Sequence, residues 1–127
     1  MASLPPPQRH ILVADNEPAL TSLLAMVLED AGYHVTSASS VEQACTLLAE
    51  TAFALVLADS FTLQRDQVLS KTGPIRQVAG ATPVVLFTAH PLKPEQAVAA
   101  GFRDLVVKPF DIETLLDQLR HLLAQSG

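Results

Sequence analysis

The chain has no tryptophan, one cysteine, one tyrosine and only 8 basic residues against 13 acidic ones. With Cys45 alone, no internal disulfide can form, which fits a reducing cytoplasm. A formal charge of −5 and a pI near 5.2 argue against nucleic acid or an anionic membrane as a partner. Both would need clustered Lys and Arg. No apolar run approaches the ~20 residues that cross a bilayer, so no membrane partner is expected. Met1 to Arg9 lacks the apolar segment of a secretory leader, and Pro5-Pro6-Pro7 reads as a polyproline-type arm over residues 1–9. His10, His34, His90 and His121 show no metal-ligand spacing. Cys45 falls on the apolar face of a predicted helix, where a small core residue is expected rather than a reactive thiol.

What the chain does have is apolar sequence, 49% of its 127 residues. That is enough to cover both faces of a sheet within one domain. β-type runs alternate with helical periodicity five times. The runs are Ile11–Ala14, a short stretch around His34–Ser37, Phe53–Ala58, Pro83–Phe87 and Leu105–Val107. The first helix spans Pro18–Ala31, with Leu20, Leu23, Leu24, Val27 and Leu28 on one stripe and Gly32 closing it. Ser40-Val41-Glu42-Gln43 opens the second with a capping-box pattern, and Val41, Ala44, Cys45 and Leu48 form its buried face. Ser60 to Thr72 is polar and mixed. Pro74 is expected to forbid a helix running through it, which leaves a short third helix over Gly73–Val78. Pro94–Ala100 makes a stubby fourth helix ended by Gly101. The last helix takes Asp111 as N-cap and aligns Ile112, Leu115, Leu116, Leu119, Leu122 and Leu123. The alternation predicts an α/β domain over residues 10–124, a parallel sheet covered by helices on both faces, and a tail at 125–127.

Four of the strand runs stop on a polar residue: Asp15, Asp59, Thr88 and Lys108. In open parallel sheets, ligands gather beyond the carboxyl ends of the strands. A carboxylate there can attack phosphorus and form an acyl phosphate. Charge opposes it, because two unit charges 4 Å apart repel by about 4 kcal/mol at an effective dielectric of 20. A Mg²⁺ ion held by one or two carboxylates offsets that repulsion. Lys108 adds a cation on the opposite side of the phosphoryl oxygens, and Thr88 a hydrogen-bond donor. Singly, each residue would be a helix cap, a loop hydroxyl or an ion-pair partner. The ordered set points to phosphoryl chemistry.

Ile11-Leu-Val-Ala-Asp15-Asn16-Glu17-Pro18, Leu55-Val-Leu-Ala-Asp59, Pro83-Val-Val-Leu-Phe-Thr88-Ala89-His90 and Val106-Val107-Lys108-Pro109-Phe110 together resemble the receiver domain of two-component response regulators. The resemblance covers His10 to Leu123. It implies a doubly wound, flavodoxin-like sheet of order 2-1-3-4-5 flanked by five helices. It also implies that Asp59 takes a phosphoryl group from a histidine kinase or phosphotransfer protein, with Mg²⁺ required. Carried over, Asp59 is nucleophile and metal ligand, and Asp15 and Asn16 fill the acidic-cluster positions. The backbone carbonyl of Phe61 is the third protein ligand. Thr88 is the switch hydroxyl, Lys108 the phosphoryl-binding cation, and Lys108–Pro109 a cis peptide. The domain would catalyse only its own phosphorylation and dephosphorylation, then act on a downstream protein target or an effector domain, as monomer or weak homodimer.

The pattern is broken in four places. Asn16 replaces a carboxylate with an amide, which implies weaker Mg²⁺ binding. Leu105 stands where the family places a Tyr or Phe switch ring. Ser60 to Gln67 lacks the family's Met-Pro and later Gly, and Thr88 to Gly101 is about two residues short. These departures favour a pseudo-receiver that binds partners without phosphate, whereas intact Asp59, Thr88 and Lys108 favour phosphorylation. A phosphatase-type hydrolase would want an aspartate where Phe61 stands. The chain reads either as a stand-alone regulator or as the receiver portion of a longer protein.

Overall fold

A computed structural model describes residues 9–59, 67–88, 92–108 and 110–126. The expectations for Phe61, His90, the Lys108–Pro109 peptide and most of the segment after Asp59 lie outside those residues. Among the described residues, strands β1 (His10–Ala14), β2 (His34–Ala38), β3 (Leu55–Asp59), β4 (Val84–Thr88) and β5 (Asp104–Val107) alternate with five helices. The helices are α1 (Pro18–Asp30), α2 (Val41–Glu50), α3 (Val68–Ala79), α4 (Pro94–Ala99) and α5 (Ile112–Ser126). All four strand pairings are parallel and the sheet order is β2-β1-β3-β4-β5, as the resemblance implied. Among the described residues, no helix is long and apolar enough to cross a membrane.

Strands β1, β3 and β4 are buried along their whole length because both sheet faces are covered there, and alternation along each strand splits the core into two layers. Ile11, Val13, Leu57, Val85 and Phe87 pack with Leu24 and Leu28 of α1 and Leu115, Leu119 and Leu122 of α5. Leu12, Val56 and Leu86 face the other way, onto Ala44 of α2, Val68 and Ile75 of α3 and Ala97 of α4. Cys45 is a partly buried member of that second layer, and burial, then the nearby Glu42, pushes its thiol up. At the amino end of the sheet His10 is buried against the Phe53 ring, and its Nε2 lies 2.6 Å from Thr36 Oγ1. Desolvation, with some help from His34, holds its pKa below the usual histidine value.

Local signals explain several helix ends. Ser40 Oγ accepts the Gln43 N–H at 3.1 Å, while the Gln43 side chain accepts from Ser39 N–H rather than closing the box on Ser40. Asp111 Oδ2 accepts the Thr114 N–H at 3.0 Å at the start of α5. Gly32 ends α1 at φ 99°, a conformation that costs side-chain-bearing residues energy. Arg9, expected in the arm, donates to the Gly32 carbonyl at 2.8 Å and so closes the same end.

Three expectations change. Helix α3 spans Val68–Ala79 and runs through Pro74, instead of occupying only Gly73–Val78. Pro74 lies on the exposed side with Ser70, whose carbonyl loses its helical partner but can be hydrated. The opposite side buries Val68, Thr72 and Ile75, and that burial outweighs the local cost. Helix α5 continues through Ser126, so residues 125 and 126 of the expected tail are helical. No breaker precedes Gly127. Ile112, expected on the buried face of α5, is 37% exposed in its first turn.

Candidate functional site

The register of the sheet assembles the site. Ala14 pairs with Ala58 and Asp59 with Phe87, so Asp15 and Asp59 emerge from adjacent strand ends. Both follow the alternation of the α1/α5 layer, one step beyond Val13 and Leu57. Asp15 is 3% exposed and Asp59 9%. Thr88 pairs with Val107, and its carbonyl accepts the Lys108 N–H at 2.7 Å. That bond delivers the lysine to the same edge.

Lys108 Nζ donates to Asp59 Oδ1 at 3.0 Å and to Asp15 Oδ2 at 3.3 Å. Two carboxylates from different strands therefore share one ammonium, whose side chain keeps only 16% exposure. Asp15 is further fixed by the Glu17 N–H, which donates to its Oδ1 at 2.9 Å. Burial pushes the Asp15 carboxyl above its usual range. The Glu17 N–H opposes that rise, the charge of Asp59 adds to it, and Lys108 opposes it. For Lys108, burial alone would lower the ammonium's pKa. The hydrogen bond and charge of Asp59, joined by Asp15, outweigh burial and raise it.

Asn16 and Glu17 are exposed beside the pair; Glu17 occupies the N-cap position of α1 without a side-chain capping bond, and among the described residues no three His, Cys, Asp or Glu side chains gather as a metal site. Asp15 and Asn16 form one wall of a cleft of about 310 Å³, closed by Thr21 and Ser22 of α1 and by Ser39 and Gln43 across from them. Thr88 is fully buried at the end of β4. Leu105 lies in the layer of α4, packed with Ala97 and Phe102, as a core side chain. Asp15, Asp59 and Lys108 thus meet, Thr88 joins them through its backbone, Asn16 stands at the rim, and Leu105 belongs to the core.

Sequence reasoning missed the aromatic packing beside the lysine. Its Nζ lies 4.8 Å from the centroid of the Phe87 ring, and Phe110 meets that ring edge-on at 4.8 Å. Phe87 looks like an ordinary strand residue until the register places it opposite Asp59.

A family model described as the response regulator receiver domain matches residues 11–120. An uncharacterized transcriptional regulatory protein of Bacillus subtilis, YkoG, is 34% identical over 122 residues, 93% of this chain and 52% of that protein. The alginate biosynthesis transcriptional regulatory protein AlgB of Pseudomonas putida is 38% identical over 104 residues, 80% of this chain and 23% of its own length. The chain therefore spans about half, or less, of these curated relatives. Among solved structures, the response regulator TrrA of Thermotoga maritima in complex with Mg²⁺ and beryllofluoride superposes with a TM-score of 0.75 at 26% identity. It covers 90% of this chain and 98% of that one. With the model match spanning nearly every element of the fold, the chain belongs to the response regulator receiver domain family.

Proposed function

We propose that Asp59 accepts a phosphoryl group from the phosphohistidine of a histidine kinase or phosphotransfer protein, and that the product changes which protein the domain holds. The observation that carries this reading is the ammonium of Lys108, shared between Asp59 Oδ1 and Asp15 Oδ2. An Asp59 oxygen bonds to phosphorus as the P–N bond of the donor breaks. The electron pair stays on the imidazole nitrogen, which takes a proton from solvent. Lys108 exchanges a carboxylate contact for a phosphoryl oxygen, and the Thr88 hydroxyl donates to another. In hydrolysis, water attacks phosphorus, Asp59 leaves as carboxylate and inorganic phosphate departs. No other substrate is turned over.

Phosphorylation and Mg²⁺ are general features of the family. The donors present fit magnesium: Asp15, Asp59 and the Asn16 amide offer hard oxygens, and this ion needs only one or two protein carboxylates. Phe61 would add its carbonyl, by the resemblance. When bound, the ion supplies positive charge against the phosphoryl dianion. Asn16 brings no charge, so Asn16→Asp should tighten Mg²⁺ binding by about tenfold, measured by calorimetry. Equal affinities would refute that assignment.

The domain then works in the cytoplasm, upstream of a protein target or of an effector domain in the same polypeptide, as monomer or weak homodimer. Nucleic-acid contact falls to the effector, since this domain is acidic. The direct test is incubation with Mg²⁺ and acetyl phosphate, followed by intact mass, with Asp59→Asn as control. A phosphoryl adduct absent from the control is the expected result. No adduct and no response to beryllofluoride would instead support the pseudo-receiver reading, which the amide at Asn16 and the ringless Leu105 favour.

A further inference from the structure

We infer that Phe87 is a positioning residue, holding the Lys108 ammonium over the Asp15–Asp59 carboxylates by the negative face of its ring. The inference rests on the phosphoacceptor reading above. Its geometry is independent of that reading. Phe87 is 1% exposed, pairs with Asp59 on one side and Val106 on the other, and lies 4.8 Å below the ammonium. Phe110 packs against it with ring centroids 4.8 Å apart, at an interplanar angle of 69°. The buried ring is held by the core around it, so the lysine stem is the mobile partner of this contact.

An ammonium has three N–H donors, and here two go to carboxylates. Those two bonds have to be redistributed when a phosphoryl group arrives, and during the exchange a four-carbon stem can swing into solvent. Attraction to the ring face is not tied to any single N–H, so it persists while the hydrogen bonds change hands. An aliphatic residue at this position would fill the same core space without drawing the charge.

The decisive variant is Phe87→3,4,5-trifluorophenylalanine, which keeps the shape of the ring and cancels its negative face; Phe87→Leu is the companion. Two readouts apply. The ε-methylene protons of Lys108 should be shifted upfield by the ring current, an effect present without any phosphoryl group and lost in Phe87→Leu. With Mg²⁺, the fluorinated protein should bind beryllofluoride about three- to tenfold more weakly. Its labelling by acetyl phosphate should slow by a similar factor, with melting temperature unchanged. Beryllofluoride affinity equal to the parent's would overturn the inference even though phosphorylation proceeds. If the parent takes neither probe, the phosphoacceptor reading fails separately. The ring current then decides through the fluorinated ring, which keeps it. An upfield Lys108 shift clearly reduced in the trifluorinated protein supports the positioning, and a shift that fluorination leaves unchanged, or none in the parent, overturns it.

Discussion

Lys108→Met should lower the stability of the folded domain by about 3 kcal/mol at neutral pH, read from urea unfolding. Methionine keeps the length of the stem and removes the one charge that Asp15 and Asp59 share. Removing one partner of a buried ion pair leaves an uncompensated charge, at about 3–5 kcal/mol. The low end applies because the lysine side chain remains 16% exposed. The pH dependence has a definite sign. Asp15 in the fold already titrates above its ordinary 3.8, with Lys108 among the groups restraining the rise. Without the lysine its pKa climbs further, so the deficit of the variant shrinks as the pH falls from neutral toward the Asp15 value. At the alkaline end the parent behaves oppositely. The folded pKa of Lys108 exceeds 10.5, so its stabilisation is complete below that pH and is lost as the pH rises through the folded value. Lys108→Met lacks this alkaline loss. A variant as stable as the parent at pH 7, with a parallel pH profile, would contradict the shared-ammonium description.

Leu119→Ala should cost about 3 kcal/mol, within the 2–5 typical for a buried leucine that leaves a cavity. Leu119 is fully buried in the middle of α5, between Leu115 at 1% and Leu122 at 6% exposure. Its neighbours across the layer include Val13, Leu57 and Val85 from the central strands. These are β-branched or packed on both faces, so the layer can collapse into the void only partly. A fall in urea midpoint with unchanged slope is the expected readout, since the same surface unfolds. A shift below about 1 kcal/mol would mean that α5 is not seated on the sheet as described.

Leu119 was legible in the sequence because α5 repeats leucine at helical spacing, and hydrophobic periodicity is the strongest local signal. The polar strand ends were legible for a related reason. A strand buried on both faces is apolar until it leaves the sheet, so Asp15, Asp59, Thr88 and Lys108 mark the exits. Helix α3 failed on this criterion. Its buried stripe is Val68, Thr72 and Ile75, with Ala79 partly buried beyond them, and a threonine in the second place hides the period. The structure shows why the position tolerates it: the Thr72 hydroxyl donates to the Val68 carbonyl at 2.8 Å and needs no water. Pro74 then looked decisive, although on an exposed face its cost is reduced. Phe87 was invisible for another reason. Its contact with Lys108 depends on strand register, which no local pattern contains.

Helix α4 has six residues, too few to persist on its own hydrogen bonds. Its order is borrowed. Ala97 is buried against the sheet, and Arg76 of α3 donates to the Ala100 carbonyl while its guanidinium lies 4.8 Å over the Phe102 ring. Gly101 leaves room for that arrangement, since a Cβ there would stand 3.1 Å from Arg76 Nη1. Withdrawing α3 would remove the Arg76 contacts from the turn that ends α4. Ala97 would still pin that helix to the sheet, so α3 tunes how firmly α4 is held rather than deciding whether it exists.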